Sequence, residues 1–123
     1  MLYRSLLETV PGVIVPFNDF DVDQASCHIM PILFAPGIDR NSVMRGMRGS
    51  GIQTSIHYPA IHTFSYYREK YPSELALTED VASRQLTLPL YPTMTECQVE
   101  RVVAVLADGV AAEERTETVA MRH

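Results

Sequence analysis

No apolar run in this chain approaches the ~20 residues that would span a bilayer, which excludes a transmembrane helix. The start, Met1-Leu2-Tyr3-Arg4-Ser5, is not a basic region followed by an apolar stretch, so no signal peptide is expected. Cysteine occurs only as Cys27 and Cys97, far apart and in no paired spacing. That excludes a disulfide scaffold and reads as a reduced, cytoplasmic protein. There is no glycine-rich phosphate loop, because Gly46, Gly49 and Gly51 fall inside and after a predicted helix rather than after a strand. Internal repeats and low-complexity tracts are also missing. Basic residues are outnumbered, 10 against 15 acidic, for a formal net charge of -5. That balance argues against a nucleic-acid or anionic-membrane partner.

What is present suits one soluble domain: 123 residues, 46% of them hydrophobic. Residues 2–9 are amphipathic, with Leu2, Leu6 and Leu7 on one helical face, and read as the tail of a longer helix stopped by Pro11-Gly12. Residues 13–24 pass from an apolar VIV into polar loop material. Residues 25–34, ASCHIMPILF, predict a buried strand in which Pro31 asks for an edge or a bulge, and in which Cys27 is a small buried hydrophobe. Asp39 caps a helix over 40–49 that is apolar on the side of Val43, Met44 and Met47 and is stopped by Gly49 and Gly51, and Ile52–Ile56 alternates as a second strand. A short helix near 63–70, a helix from Thr78 to Arg84 and a strand over 86–90 follow. Thr95-Glu96-Cys97-Gln98 has the capping-box form, and Val99, Val102, Val103 and Leu106 continue it at helical spacing until Asp108-Gly109. Residues 109–123 are charged, lack sustained periodicity and are expected to be disordered. Short strands and brief linkers predict an α+β fold: a small two-layer sandwich with a short, mainly antiparallel sheet covered by helices.

The richest local constellation is His57-Tyr58-Pro59-Ala60-Ile61-His62, two imidazoles and a phenol just past a predicted strand end. Strand ends of mixed folds commonly bind ligands, imidazole can donate or accept near neutral pH, and a tyrosine ring offers a flat face to a sugar or base. The alternative is that these groups cap backbone amides in a tight proline-containing loop. Metal binding by His57 and His62 is disfavoured, because Pro59 breaks a helix between them and no cysteine pair or carboxylate pair completes a ligand set. Cys27 and His28 are not a nucleophile and base, since neighbours on a strand point to opposite faces. Arg45, Arg48, Arg68 and Arg84 read as scattered basic groups.

Four segments, in one order, carry a resemblance. They are YRSLLETVPGVIVP over 3–16, the stretch from Asp39-Arg40 through Gly51-Ile52, GIQTSIHYPAIHTFSYY over 51–67, and LPLYPTMTECQVERVV over 88–103. Together they resemble the DegT/DnrJ/EryC1/StrS family of sugar aminotransferases over about residues 1–108. The resemblance implies a small C-terminal domain of a type I aminotransferase, with residues 1–12 as the end of an interdomain helix and its turn. In such proteins a large domain holds pyridoxal phosphate as a Schiff base on a lysine. An amino group passes, usually from glutamate, to a keto group of a nucleotide-linked sugar or cyclitol, in amino-sugar, antibiotic or polysaccharide biosynthesis. The active site lies at a homodimer interface. No catalytic or cofactor-binding residue carries over: Lys70 is the only lysine and sits in a polar Arg-Glu-Lys-Tyr context. What carries over is His57, Tyr58 and His62, matching the family's HYP-x-x-H positions, with an implied role in shaping the sugar pocket.

Three readings follow. In the first the chain is part of a sugar aminotransferase, inactive alone and without cofactor. In the second it is a stand-alone nucleotide-sugar binding module. In the third it is an interaction protein that self-associates or meets the missing large domain through an exposed apolar surface, with Leu2, Leu6 and Leu7 among its members.

Overall fold

The computed structural model describes residues 2–120. In chain order the elements are α1 (Leu2–Leu7), β1 (Val13–Ile14), β2 (Met30–Phe34), α2 (Arg40–Gly49), α3 (Ser65–Lys70), α4 (Ala76–Arg84), β3 (Gln85–Leu88) and α5 (Glu96–Ala120). Single 3-10 turns lie at Val22–Gln24 and Ile61–Thr63. The strands form one antiparallel sheet in the order β1-β2-β3. This is the expected α+β architecture, with helices laid on a short sheet.

Strand alternation divides the sheet into two unlike faces. Met30, Ile32 and Phe34 of β2 and Leu86 and Leu88 of β3 are buried on one face. Against them pack Tyr3 and Leu7 of α1, Val43 and Met47 of α2, and Val99, Val102, Val103, Leu106 and Val110 of α5. Each large apolar side chain taken fully out of water contributes about 1.5–3 kcal/mol, so this layer dominates stability. Pro31, Leu33, Gln85 and Thr87 lie on the other face, paired Pro31 with Thr87 and Leu33 with Gln85.

Helix ends follow local chemistry. The Asp39 carboxylate accepts from the Asn41 backbone N–H at 2.8 Å, and α2 runs over the predicted residues. At α5 the capping box closes: Thr95 N–H donates to the Gln98 side chain at 2.8 Å, and Gln98 N–H donates to Thr95 Oγ1 at 3.3 Å.

Several expectations are corrected. The predicted strand over 25–34 keeps only Met30–Phe34. Its continuation would pair Ile29 with Pro89, which has no N–H to donate. Cys27 is therefore exposed in a loop, with φ 48°, rather than buried. β2 is the central strand, not an edge. Pro31 is nevertheless accommodated, because β1 pairs only with Leu33 and Phe34 and leaves the 30–32 stretch with a single neighbour. Leu7 is fully buried, and Leu2 and Leu6 pack against the core, so these leucines do not form an exposed patch. Tyr3, which the leucine pattern passed over, is among the largest buried side chains, and its hydroxyl donates to the Pro89 carbonyl at 2.7 Å.

The largest correction is at the C-terminal end. The helix passes through Gly109 and continues to Ala120, where disorder was expected from 109 onward. Gly109 is not a stop. A Cβ built there would lie 3.2 Å from Val43 Cγ1, so the glycine lets α5 approach α2 closely. Beyond it, Val110 is buried, and the run of Ala, Glu and Arg favours helix without a periodic apolar face. Residues 121–123 of the expected tail lie outside the described residues.

Candidate functional site at His57

α2 ends at Gly49, Gly51 turns the chain just beyond it with a φ of 78°, and Ile52 N–H donates back to the Met47 carbonyl at 2.9 Å. Ile52 anchors in the core and the chain then passes along the free edge of β3. The strand predicted over 52–56 reduces here to one exchanged pair: Ser55 N–H donates to Thr87 O at 3.1 Å, and Thr87 N–H donates to Ser55 O at 2.8 Å. Two residues on, antiparallel register would bring His57 opposite Gln85. There the ladder stops, because His57 N–H donates instead to the Gln85 side-chain oxygen at 3.1 Å. A side chain has replaced the carbonyl, and the backbone is free to turn away at Tyr58-Pro59.

This substitution positions His57. Its Nδ1 lies 3.1 Å from Thr87 Oγ1, and the Gln85 amide nitrogen donates to the same hydroxyl at 2.7 Å. Gln85 and Thr87 are 7% and 5% exposed, so their polar groups must be satisfied within the protein, and His57 satisfies them. The imidazole is thus held at its backbone and its ring. Tyr58, joined to it by a cis peptide bond, is 71% exposed, and its ring stands edge-on to His57 at 5.1 Å between centroids.

His62 is employed differently. Its Nε2 lies 2.8 Å from the Glu79 carboxylate, and its side chain is 11% exposed. It fastens the 3-10 turn to α4. The structure therefore brings His57 and Tyr58 together at the sheet edge and assigns His62 to the framing of the segment beyond.

That segment is an arm. Every residue from 63 to 80 is exposed, including Phe64, Tyr66, Tyr67, Tyr71 and Leu77. Its root is fixed by polar contacts: Arg84 donates through Nη1 to the Phe34 carbonyl and through Nη2 to Asp80, and Arg40 donates to the Ala82 carbonyl at 2.6 Å. The hydrogen bond from Arg84 holds the Asp80 carboxyl below its usual range. Arg84, read as one scattered cation, instead ties α4 to the sheet. Arg45 does remain at the surface, 3.8 Å from Asp39.

The arm also carries Lys70. Its ammonium lies 3.2 Å from the Tyr66 hydroxyl and over the Tyr66 and Tyr71 rings, at 5.3 and 5.8 Å from their centroids, on exposed helix. A Schiff-base lysine needs a desolvated pocket beside a held cofactor phosphate, so Lys70 and its neighbours do not fit pyridoxal phosphate. Among the described residues no group of three His, Cys, Asp or Glu side chains could hold a metal ion, and no helix is long and apolar enough to cross a membrane.

Sequence reasoning missed Gln85 and Thr87. The available signal was the alternation Gln85-Leu86-Thr87-Leu88, which places two polar side chains on one face of a strand that is buried throughout.

Residues 1–107 match the sequence profile of the DegT/DnrJ/EryC1/StrS aminotransferase family. Among solved structures, the chain is similar to the aminotransferase TlmJ from Streptoalloteichus hindustanus, with 25% identity and a TM-score of 0.79 over 89% of this chain and 29% of that one. It is similar to DesI, solved in the presence of its TDP-sugar product, with 26% identity and a TM-score of 0.77 over 97% of this chain and 31% of that one. NtdA from Bacillus subtilis, solved with the bound cofactor PMP, matches with 26% identity and a TM-score of 0.73 over 89% of this chain and 26% of that one. The chain thus spans about 26–31% of the length of these relatives. By sequence over 107 residues and by fold over nearly all of its length, this chain belongs to the DegT/DnrJ/EryC1/StrS aminotransferase family.

Proposed function

We propose that the chain serves as the small C-terminal domain of a pyridoxal-phosphate aminotransferase acting on a nucleotide-linked keto sugar or cyclitol, and that His57 and Tyr58 face that substrate. The observation that carries the reading is the site itself: an imidazole braced by two buried polar side chains, beside an exposed tyrosine. A braced donor and a free aromatic face suit a polyhydroxylated ligand, which needs directed hydrogen bonds and a flat surface. The TDP-sugar product of DesI supports the substrate class, and the PMP of NtdA supports the cofactor. His62 contributes by holding the arm through Glu79 rather than by contact of its own.

The cofactor would supply the amino-transfer chemistry from outside the described residues. This chain's residues bind and orient. Alone, the chain is expected to be inactive and to give no cofactor absorbance. A visible absorbance band on adding pyridoxal phosphate, lost in Lys70→Ala, would overturn that part.

Binding is tested by calorimetric titration of the chain with a TDP-linked hexose. Saturable binding weakened about tenfold by Tyr58→Ala, about 1.4 kcal/mol, is expected. A flat titration with the folded wild-type chain sinks the substrate assignment. The apolar, aromatic surface of the arm supports a second element of the reading, that a large domain or a second copy of the chain covers this side.

A further inference from the structure

We infer that Gln85 and Thr87 are positioning residues that fix the tautomer of His57, so that the ring offers an Nε2–H donor outward. The direction of every hydrogen bond in the cluster follows from one group that has no choice. The His57 backbone N–H can only donate, and its partner is the Gln85 side chain at 3.1 Å. The Gln85 oxygen therefore occupies that position, which turns its NH2 toward Thr87 Oγ1 at 2.7 Å. Thr87 accepts that hydrogen and must dispose of its own. The remaining partner of its hydroxyl among the described residues is His57 Nδ1 at 3.1 Å. Nδ1 must then be the bare nitrogen, and the ring proton sits on Nε2.

The opposite assignment fails. If Nδ1 carried the proton and donated to Thr87, the threonine hydroxyl would receive two hydrogens and its own would have no acceptor, in a side chain 5% exposed. Nε2 makes no hydrogen bond among the described residues, and no unpartnered side-chain nitrogen or oxygen is buried among them. The Nε2–H is thus free at the surface beside Tyr58. A neutral N–H donor selects an oxygen acceptor. That clause about ligand chemistry rests on the proposed substrate reading, whereas the tautomer itself does not.

The test is a long-range proton–nitrogen NMR spectrum of the chain with 15N-labelled histidine, taken at a pH where the ring is neutral. Expected is one tautomer for His57, with a pyridine-like Nδ1 shift and a pyrrole-like Nε2 shift. A dominant Nδ1–H form, or a mixture, overturns the inference. Gln85→Glu, read at a pH where the new carboxyl is ionised and the ring neutral, replaces the donating NH2 by an oxygen that only accepts. The Thr87 hydroxyl then donates to that oxygen and accepts from Nδ1, and the tautomer inverts. A folded variant that keeps the wild-type tautomer refutes the role of Gln85. Should that variant not fold, Thr87→Ser must preserve the single tautomer and Thr87→Val must yield a mixture. A Thr87→Val spectrum identical to wild type refutes the role of Thr87. Adding a TDP-linked hexose, and TDP alone in parallel, places the acceptor. A shift of Nε2 with the hexose only assigns it to the sugar, and a shift with both assigns it to the nucleoside diphosphate. A shift with neither removes the substrate reading and leaves the tautomer standing.

Discussion

The two faces of the sheet are built on opposite terms. On one, Met30, Ile32, Phe34, Leu86 and Leu88 meet three helices, and the side chains are apolar, interlocked and dry. On the other, the buried Gln85 and Thr87 hydrogen-bond to a histidine, and the chain beyond it extends as an arm exposed from 63 to 80. The first face needs nothing beyond its own residues. The second holds one side chain rigidly and leaves a row of aromatic rings in water. Stability is therefore carried by the first layer and the proposed recognition by the second, and substitutions should separate them.

The sharpest break in that division is a pair of leucines. Leu106 is 0% exposed and Leu77 is 77% exposed. Leu106→Ala should cost about 2–5 kcal/mol, while Leu77→Ala should stay within about 0.5 kcal/mol of wild type. Urea denaturation of both measures this, and equal losses would mean that the arm packs as part of the core. Next in size is the crossing of α2 and α5. Gly109→Val forces branched carbon toward Val43 Cγ1 and should cost about 1–3 kcal/mol, seen as a lowered Tm.

Tyr3 tests a polar tip buried in the core. Tyr3→Phe leaves the Pro89 carbonyl without its donor and should cost about 1 kcal/mol. Burial first, and then Tyr91, push the Tyr3 phenol well above its ordinary range. Its contribution is thus complete below the free tyrosine value of about 10 and is lost as pH rises beyond it. Alkaline unfolding should therefore begin later in Tyr3→Phe than its neutral-pH stability implies. The smallest effect belongs to the root of the arm. The Asp80 carboxyl, lowered by Arg84, adds stability above the free aspartate value of about 4, and that contribution fades as pH falls through its folded value. Asp80→Asn should flatten the acid side of the stability curve slightly and leave the neutral side nearly unchanged, measured by denaturation across pH.

What could be read without coordinates was local. Asp39 before an apolar-sided helix, the capping box at Thr95–Gln98 and the stop at Gly51 each pair a side chain or a glycine with a backbone a few residues away. Composition and alternation were enough for the fold class, and the run His57–His62 marked a segment that polar side chains tie to the sheet edge and to α4. The failures share a cause. Gly109 resembles a helix stop until Val43 is seen against it. Tyr3 resembles a surface residue until Pro89 arrives from 86 positions away.

The site divides along the same line. The sequence by itself determined which side chains were available at the sheet edge, two imidazoles and a phenol, because residue types and their spacing are chain properties. Only the tertiary structure decided what each does. His57 is braced by Gln85 and Thr87, His62 is bound to Glu79, and Tyr58 is left free. The physical reason is that a hydrogen bond is settled by which donor and acceptor meet, and here each deciding partner lies 17 to 30 residues away along the chain.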